Sequence, residues 1–266
     1  MGGSGNRFKA ALSQGQLQIG FWQSLGHSVS TEISAAAGFD WLLIDGEHGP
    51  NTLLTVRDQL LAVASTSTHP VVRISQASVA EVKLVMDVGA QTILVPMVDT
   101  AEDAALMARA MRYPPDGNRG NGANVVRASG YGRNKDYVFG ANDNACLLVQ
   151  VETATALENL DAICRVEGVS GVLIGPADLA TSMGYMGQPE SAPVQTAIED
   201  AIARILKAGK APGILMGNEA LARRYIELGA LFVAVGSDVA ALVGATDALV
   251  AKYKGGQAKP EAVQVY

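Results

Sequence analysis

The chain has 266 residues, of which 48% are hydrophobic, and a formal net charge of −6. That size and apolar content support one large domain with a full core, and the acidic balance excludes the basic face that nucleic-acid binding needs. No apolar run approaches the roughly 18 residues of a membrane span, and residues 1–5 are polar and Gly-rich, unlike a secretory signal, so they read as a flexible leader on a cytoplasmic protein.

Residues 6–255 are expected to form the folded domain, and 256–266 a polar tail. Phe8 to Ser13 reads as a short helix and Leu17 to Trp22 as the first strand. Ser30 to Ala37 is helical, with Ser30 as its cap and Gly38 as its stop. Phe39 to Ile44 is apolar except at Asp40, the pattern of a strand buried on both faces. It runs into Asp45, Gly46, Glu47, His48, Gly49 and Pro50. Charged groups at the mouth of a core cost free energy unless they pair or ligate something. The plainer alternative is a polar strand end before a helix with Pro50 at its first position.

Asn51 to Ala64 is an amphipathic helix, and Pro70 to Arg73 is a short strand ending on a cation. Val79 to Val88 is helical and stops at Gly89. Thr92 to Val95 is the fourth strand, followed by Pro96 and Met97, and Ala101 to Arg112 is an Ala-rich helix. Tyr113 to Asn134 is the one long irregular stretch, with Pro114, Pro115, repeated glycines, Arg119, Arg127 and Arg133. A structureless loop of that length in a compact domain is usually functional; otherwise it is a variable surface loop. Cys146 to Val151 is the fifth strand and leads to Glu152, and Ala154 to Ile163 is helical. Val172 to Ile174 is the sixth strand and leads to Gly175, Pro176, Ala177 and Asp178. Val194 to Ala208, Pro212 to Leu215, Glu219 to Leu228, Leu231 to Val235 and Val239 to Lys252 continue the alternation of helix and strand. Cys146 and Cys164 sit in apolar segments and read as small hydrophobes.

Parallel strands need crossover helices, and eight strand–helix units close into a single (β/α)8 TIM barrel. The doubly wound alternative lacks a Gly-x-Gly-x-x-Gly after its first strand. In a barrel the active site lies at the C-terminal ends of the strands. Those ends carry Trp22, Asp45, Glu47, His48, Arg73, Gln150, Glu152, Asp178 and Asp238. Glu152 and Asp178 follow neighbouring strands. Two close carboxylates repel unless a cation sits between them, and a hard divalent ion is held by one or two carboxylates plus water and substrate oxygens. They therefore read as metal ligands, against the alternative of two separate helix caps. Arg73 suits capture of a carboxylate or developing oxyanion, or an ion pair with Asp45 or Glu47. His48 is the one histidine among the strand ends and reads as the acid/base group; His27 and His69 carry no role. No lysine ends a predicted strand, so Schiff-base chemistry is excluded.

The stretches Gly38 to His48, Pro70 to Arg73, Gly89 to Met97, Arg112 to Pro115, Leu148 to Glu152, Ile174 to Asp178, Lys210 to Gly213 and Leu228 to Gly236 together resemble the HpcH/HpaI aldolase family. The resemblance is closest to its 4-hydroxy-2-oxoheptanedioate aldolases and related class II pyruvate-dependent hydroxy-ketoacid aldolases. It implies that Mg2+, Mn2+ or Co2+ on Glu152 and Asp178 binds a 2-oxo acid such as pyruvate. It implies that Arg73 stabilises the enolate and that His48 acts as base, with Asp45 beside it. It implies that Asp87 supports the histidine of a neighbouring subunit. Trp22, Gln150, Gly175, Pro176, Ala177, Asp178, Leu215 and Asn121 match pocket positions, and an aldehyde is the second substrate. The family also implies a homohexamer with sites at subunit contacts.

The long loop departs from the family pattern, with Asn118, Asn121 and Asn124 where small or apolar residues are expected. The added amides favour a polar, hydroxylated aldehyde. Two other readings remain: an acyl-CoA lyase of the citrate or malyl-CoA type, with Arg119, Arg127 and Arg133 holding the CoA tail, and a barrel that binds a 2-oxo acid without chemistry.

Overall fold

A computed structural model describes residues 5–255; the tail and all of the leader but Gly5 lie outside the described residues. The chain runs α1 (Arg7–Ser13), β1 (Gln18–Gln23), α2 (Ser28–Ala36), β2 (Trp41–Asp45), α3 (Leu53–Val63), β3 (His69–Arg73), α4 (Val79–Asp87), β4 (Thr92–Val95) and α5 (Ala101–Ala110). It continues with a 3-10 turn (Arg127–Ser129), α6 (Tyr137–Asn144), β5 (Cys146–Val151), α7 (Ala154–Arg165), β6 (Val169–Ile174), α8 (Pro176–Ser182), α9 (Ala192–Lys207), β7 (Ala211–Leu215), α10 (Glu219–Glu227), β8 (Phe232–Ser237) and α11 (Asp238–Lys254). The eight strands pair in chain order, all parallel, and β1 closes on β8.

Strand alternation decides what enters the barrel, because successive side chains point to opposite faces. On β2, Trp41 and Leu43 face inward with Val71, Leu94, Leu148, Leu173 and Phe232. Ile44 faces outward, with Val72, Ile93, Val149, Val172 and Val233, against the helices. The inward phase continues to the rim as Trp22, Asp45, Arg73, Gln150 and Leu215. The interior accommodates two large rings by pairing each with a glycine: a Cβ on Gly20 would strike the Trp41 indole, and one on Gly213 the Phe232 ring. The lower end is closed by α1, whose Phe8 packs on Trp41 at 5.8 Å and stacks on His69 at 5.4 Å between centroids. His69 donates or accepts at Thr92 Oγ1 (2.8 Å), and burial pushes its pKa down to about 3, so it is a neutral core group. Both cysteines are buried, and burial raises each thiol to about 11.

Several boundaries differ from the sequence reading. Ser30 does not cap α2; His27 does, its Nδ1 accepting from Val29 N at 3.2 Å. Pro50 lies before α3, which is capped reciprocally by Thr52 and Thr55. The long loop is not structureless. The 3-10 turn sits inside it, and Ser129, wholly buried, ties Ala123 O, Val126 O and Gly132 N together. The helix that follows, α6, is absent from the sequence reading because its Gly, Asn and Asp residues are weak helix formers; burial of Ala141 and the docking of Asn142 on Tyr113 secure it. The last helix, α11, is anchored by Asp238 and then leaves the barrel: every described residue from 241 to 255 is exposed, and Val235 on the outer face of β8 is also uncovered.

Candidate active site

The pleat register sets Asp45 opposite Arg73 on adjacent strands. Asp45 is 1% exposed and takes a two-pronged contact from Arg73, Nε at 2.9 Å and Nη2 at 2.7 Å. It also accepts from Trp22 Nε1 at 2.9 Å and from the backbone N–H of Glu47 and His48 at 3.0 and 3.2 Å. Burial by itself would raise the Asp45 pKa, but the hydrogen bond and charge of Arg73, helped by Trp22 and the Glu47 N–H, outweigh it and hold the carboxyl below its usual range. Asp45 stays ionised and fixes the guanidinium. Arg73 lies over the Trp22 ring, 5.0 Å from its centroid, and its Nη1 is 2.8 Å from Glu47 Oε2. The alternative drawn from the sequence, an ion pair with Asp45 or Glu47, is thus realised with both acids at once. Of the five guanidinium N–H groups, two are hydrogen-bonded, both to Asp45; Nη1 meets Glu47 as an ion pair only, and Glu47 Oε2 has no hydrogen-bond partner, so N–H groups remain for a substrate.

Gly46 is required between the two acids. Its N–H donates to Arg73 O at 2.8 Å, and a Cβ would come within 2.5 Å of that same backbone oxygen. The turn throws His48 outward, with its side chain 66% exposed and Glu47 Oε2 3.8 Å away. Asp45 stands beside His48 through the backbone N–H only, not through the imidazole.

On the facing side of the mouth, Glu152 is 2% exposed. Its Oε1 accepts from Met97 N at 2.8 Å and its Oε2 from Gln150 Nε2. Gly175 presses on the same pair: a Cβ there would lie 2.9 Å from Glu152 Cβ and 3.1 Å from Gln150 Nε2. Gly175 also opens α8, with Pro176, Ala177 and Asp178 in its first turn. The Glu152 pKa is raised, by burial first, with the charges of Glu47 and Asp178 adding to it against the hydrogen bonds from Met97 and Gln150. Glu47 is raised likewise, by burial and by Asp45 and Asp178, against Arg73 and His48. Among the described residues no three His, Cys, Asp or Glu side chains gather into a protein-only metal cage. The buried Gln150 Oε1 has no hydrogen-bond partner. Leu215 ends β7 half-buried against the interior cluster.

Two residues escaped the role assignment made from sequence. Glu47 stood among the strand ends only as an alternative ion-pair partner of Arg73 and was given no part in the chemistry. Met97 gave no sequence signal. It is a non-glycine residue with φ of 53°, a conformation that costs on the order of 1 kcal/mol, and its N–H is the group aimed at Glu152.

The chain does not bring Asp87 and Asn121 to this mouth. Helices run back antiparallel to the strands, so Asp87, the last residue of α4, lies at the opposite end of the barrel from His48. There Arg119, fully buried, donates to Asp87 Oδ1 at 2.8 Å and lies 4.7 Å from the Tyr113 ring centroid. Arg127 donates to Val88 O at 2.8 Å. These two arginines are engaged in holding the loop and are not free contacts for a CoA tail; of the three that the acyl-CoA reading drew on, only the exposed Arg133, which donates to Gly130 O at 3.1 Å, remains. Asp238, among the strand ends, clasps Ser24 N (2.9 Å) and Leu25 N (3.1 Å) and is structural.

The closed (β/α)8 barrel thus sets a histidine beside a paired arginine on one side of its mouth, with the buried Glu152 and the exposed Asp178 on the other. The chain belongs to the HpcH/HpaI aldolase/citrate lyase family, whose profile matches residues 18–245. It is a carbon–carbon lyase. It is 56% identical over 248 residues to a 4-hydroxy-2-oxo-heptane-1,7-dioate aldolase of Klebsiella pneumoniae, covering 93% of this chain and 94% of that protein. It is 54% identical over 253 residues to a hydroxypyruvate/pyruvate aldolase of Agrobacterium fabrum, covering 95% of each. The crystal structure of an HpcH/HpaI aldolase/citrate lyase family protein from Burkholderia cenocepacia superposes with a TM-score of 0.91 at 37% identity, covering 94% of this chain and all of that one.

Proposed function

We propose that this mouth is a class II aldolase site that makes or cleaves 4-hydroxy-2-oxo acids through a pyruvate enolate and an aldehyde. The observation that carries this reading is the Asp45–Arg73–Glu47 cluster beside His48. It presents a fixed cation, with N–H groups left unbonded, next to an accessible base. No described lysine stands at the mouth; Lys210, for one, is held by Val169 O at the other end.

A divalent cation fits the residues present. Asp45 and Glu47 share the one counter-charge of Arg73, and the buried Glu47 Oε2 and Gln150 Oε1 have no hydrogen-bond partner; burial first, and then the neighbouring carboxylates, raise the pKa of Glu47 and Glu152. Glu152 and Asp178 would hold the ion, with substrate and water oxygens completing its shell. When bound, it supplies Lewis-acid polarisation of the 2-oxo carbonyl. Arg73 then donates to the carbonyl oxygen and stabilises the charge that develops there, in a buried setting where such contacts are strongest. His48 takes a proton from the methyl carbon of pyruvate and returns one to the new hydroxyl oxygen. Trp22, Gln150 and Leu215 wall the pocket, and the free N–H groups opening α8 at Ala177 and Asp178 face the pyruvate carboxylate.

The test is exchange of the pyruvate methyl protons for deuterium, which needs no knowledge of the aldehyde. Exchange is expected with Mg2+ or Mn2+ and is expected to fall to background with excess chelator. Exchange that survives chelation would overturn the metal assignment, and no exchange under any condition would overturn the aldolase reading.

We further propose a cytoplasmic homohexamer in which the Asp87 edge of one copy meets the catalytic mouth of another. The uncovered α11 supports assembly. Leu242, Val243, Leu249, Val250 and Tyr253 are more than half exposed on it, and burying each contributes about 1.5–3 kcal/mol. The double substitution Val243→Glu and Val250→Glu is expected to yield smaller species in sedimentation velocity. An unchanged assembly would remove α11 from the interface.

A further inference from the structure

A second cavity lies in the long loop, at the end of the barrel away from the catalytic mouth. It is a cup of about 210 Å3 lined by Asn121, Ala123, Asn124, Gly132, Asn134, Lys135 and Val138. Its polar lining is unbalanced. Asn121 spends its carbonyl Oδ1 on Ala123 N (3.1 Å) and Asn134 spends its own on Asp136 N (3.1 Å). Each amide therefore keeps its NH2 group for the cup. Neither the Asn124 amide nor the Lys135 ammonium has a hydrogen-bond or ion-pair partner among the described residues. Two of the lining carbonyls are already taken: Ala123 O by Ser129 Oγ, and Asn134 O by Tyr137 N. No carboxylate lines the cup. What remains among the side chains is three amide NH2 groups, the Asn124 Oδ1 and one cation, around an apolar floor of Ala123 and Val138.

The cup is also held in shape. Ser129 bolts its turn from inside, and the Arg119–Asp87 and Arg127–Val88 contacts fasten the loop to α4. Donors fixed before binding lose little freedom when they bind, which is what lets a shallow site hold a small ligand.

We propose that this cup binds a small carboxylate. One ammonium among neutral amides balances one negative charge, so a carboxylate suits it and a dianionic phosphate leaves charge uncompensated. Free carboxylate at this loop and the carboxylate tail of an acceptor at a subunit contact share this chemistry. The two are separated by stoichiometry in the metal-chelated protein, where a free site takes one succinate per chain and a shared one loses binding when the assembly is dissociated by the α11 substitutions.

The experiment titrates succinate into wild-type protein in excess chelator, followed by calorimetry. Because neither metal nor turnover is involved, its outcome is independent of the aldolase reading. Saturable binding is expected, weakened at least about tenfold by Lys135→Ala and by Asn134→Asp. The neighbouring Arg133→Ala, which does not line the cup, is expected to leave the affinity within about twofold. The proposal is overturned if wild-type protein does not bind succinate, if Arg133→Ala weakens binding as much as Lys135→Ala does, or if inorganic phosphate displaces succinate at equal concentration.

Discussion

An Arg73→Met enzyme is expected to lose pyruvate proton exchange to background and about 3–5 kcal/mol of stability. The stability loss follows from what remains: Asp45 is 1% exposed and would be left as an uncompensated buried charge. The change also reverses a pH dependence. In the wild type the Asp45 pKa lies below its unfolded value, so its contribution is present at neutral pH and is lost as the pH falls through the folded pKa. Without Arg73, burial dominates and the folded pKa rises above the unfolded one. The variant should then be most stable in acid and should weaken as the pH rises, as read by urea denaturation at several pH values. Arg73→Lys separates the two roles. It keeps the charge but not the fork that spans Nε and Nη2 on Asp45, so exchange should still fall about 10²- to 10³-fold while most of the stability returns. A lysine variant with wild-type exchange would show that the fork is not used in catalysis.

Glu152→Gln is expected to have the second largest effect, and of opposite sign in two measurements. The substitution keeps shape and removes charge from the group that both Met97 N–H and Gln150 hold. Divalent-cation affinity should collapse, and exchange should fall by about 10³-fold or more. Stability should move the other way in chelator. The Glu152 pKa is raised in the folded protein, first by burial and then by Glu47 and Asp178. Its favourable contribution is therefore full only below the unfolded pKa and is lost as the pH rises through the folded one. At neutral pH without a cation, the neutral variant should melt higher than the wild type; with Mn2+ present the order should reverse. If both proteins melt alike with and without Mn2+, Glu152 is not a ligand.

The loop shows where local sequence ran out. Asn121 was read as part of the substrate pocket, with the amides at 118, 121 and 124 selecting the aldehyde. In one chain these residues lie at the far end of the barrel, fastened to α4 by Arg119 and Arg127. They are therefore not part of the mouth of their own chain. Asp87 is in the same position. No periodicity reports which end of the barrel a loop occupies, because that depends on the direction of the helix before it and on tertiary contacts more than 30 residues away in sequence.

Much of the mouth was legible because strands repeat every two residues. Once Trp41 and Leu43 face the interior, Asp45 must do so as well, and the same phase delivers Trp22, Arg73 and Gln150 to the rim. The alternation of apolar strands with helices likewise determines the parallel barrel, since each parallel pair needs a crossover. Tertiary structure alone decided the pairing. It divided one guanidinium between Asp45 and Glu47, turned Met97 left-handed to serve Glu152, left the His48 imidazole free of Asp45, and stood α11 away from β8. These outcomes depend on distances between strands and on what solvent reaches. Both are set only when the sheet closes and the low-dielectric interior makes every unpaired charge costly.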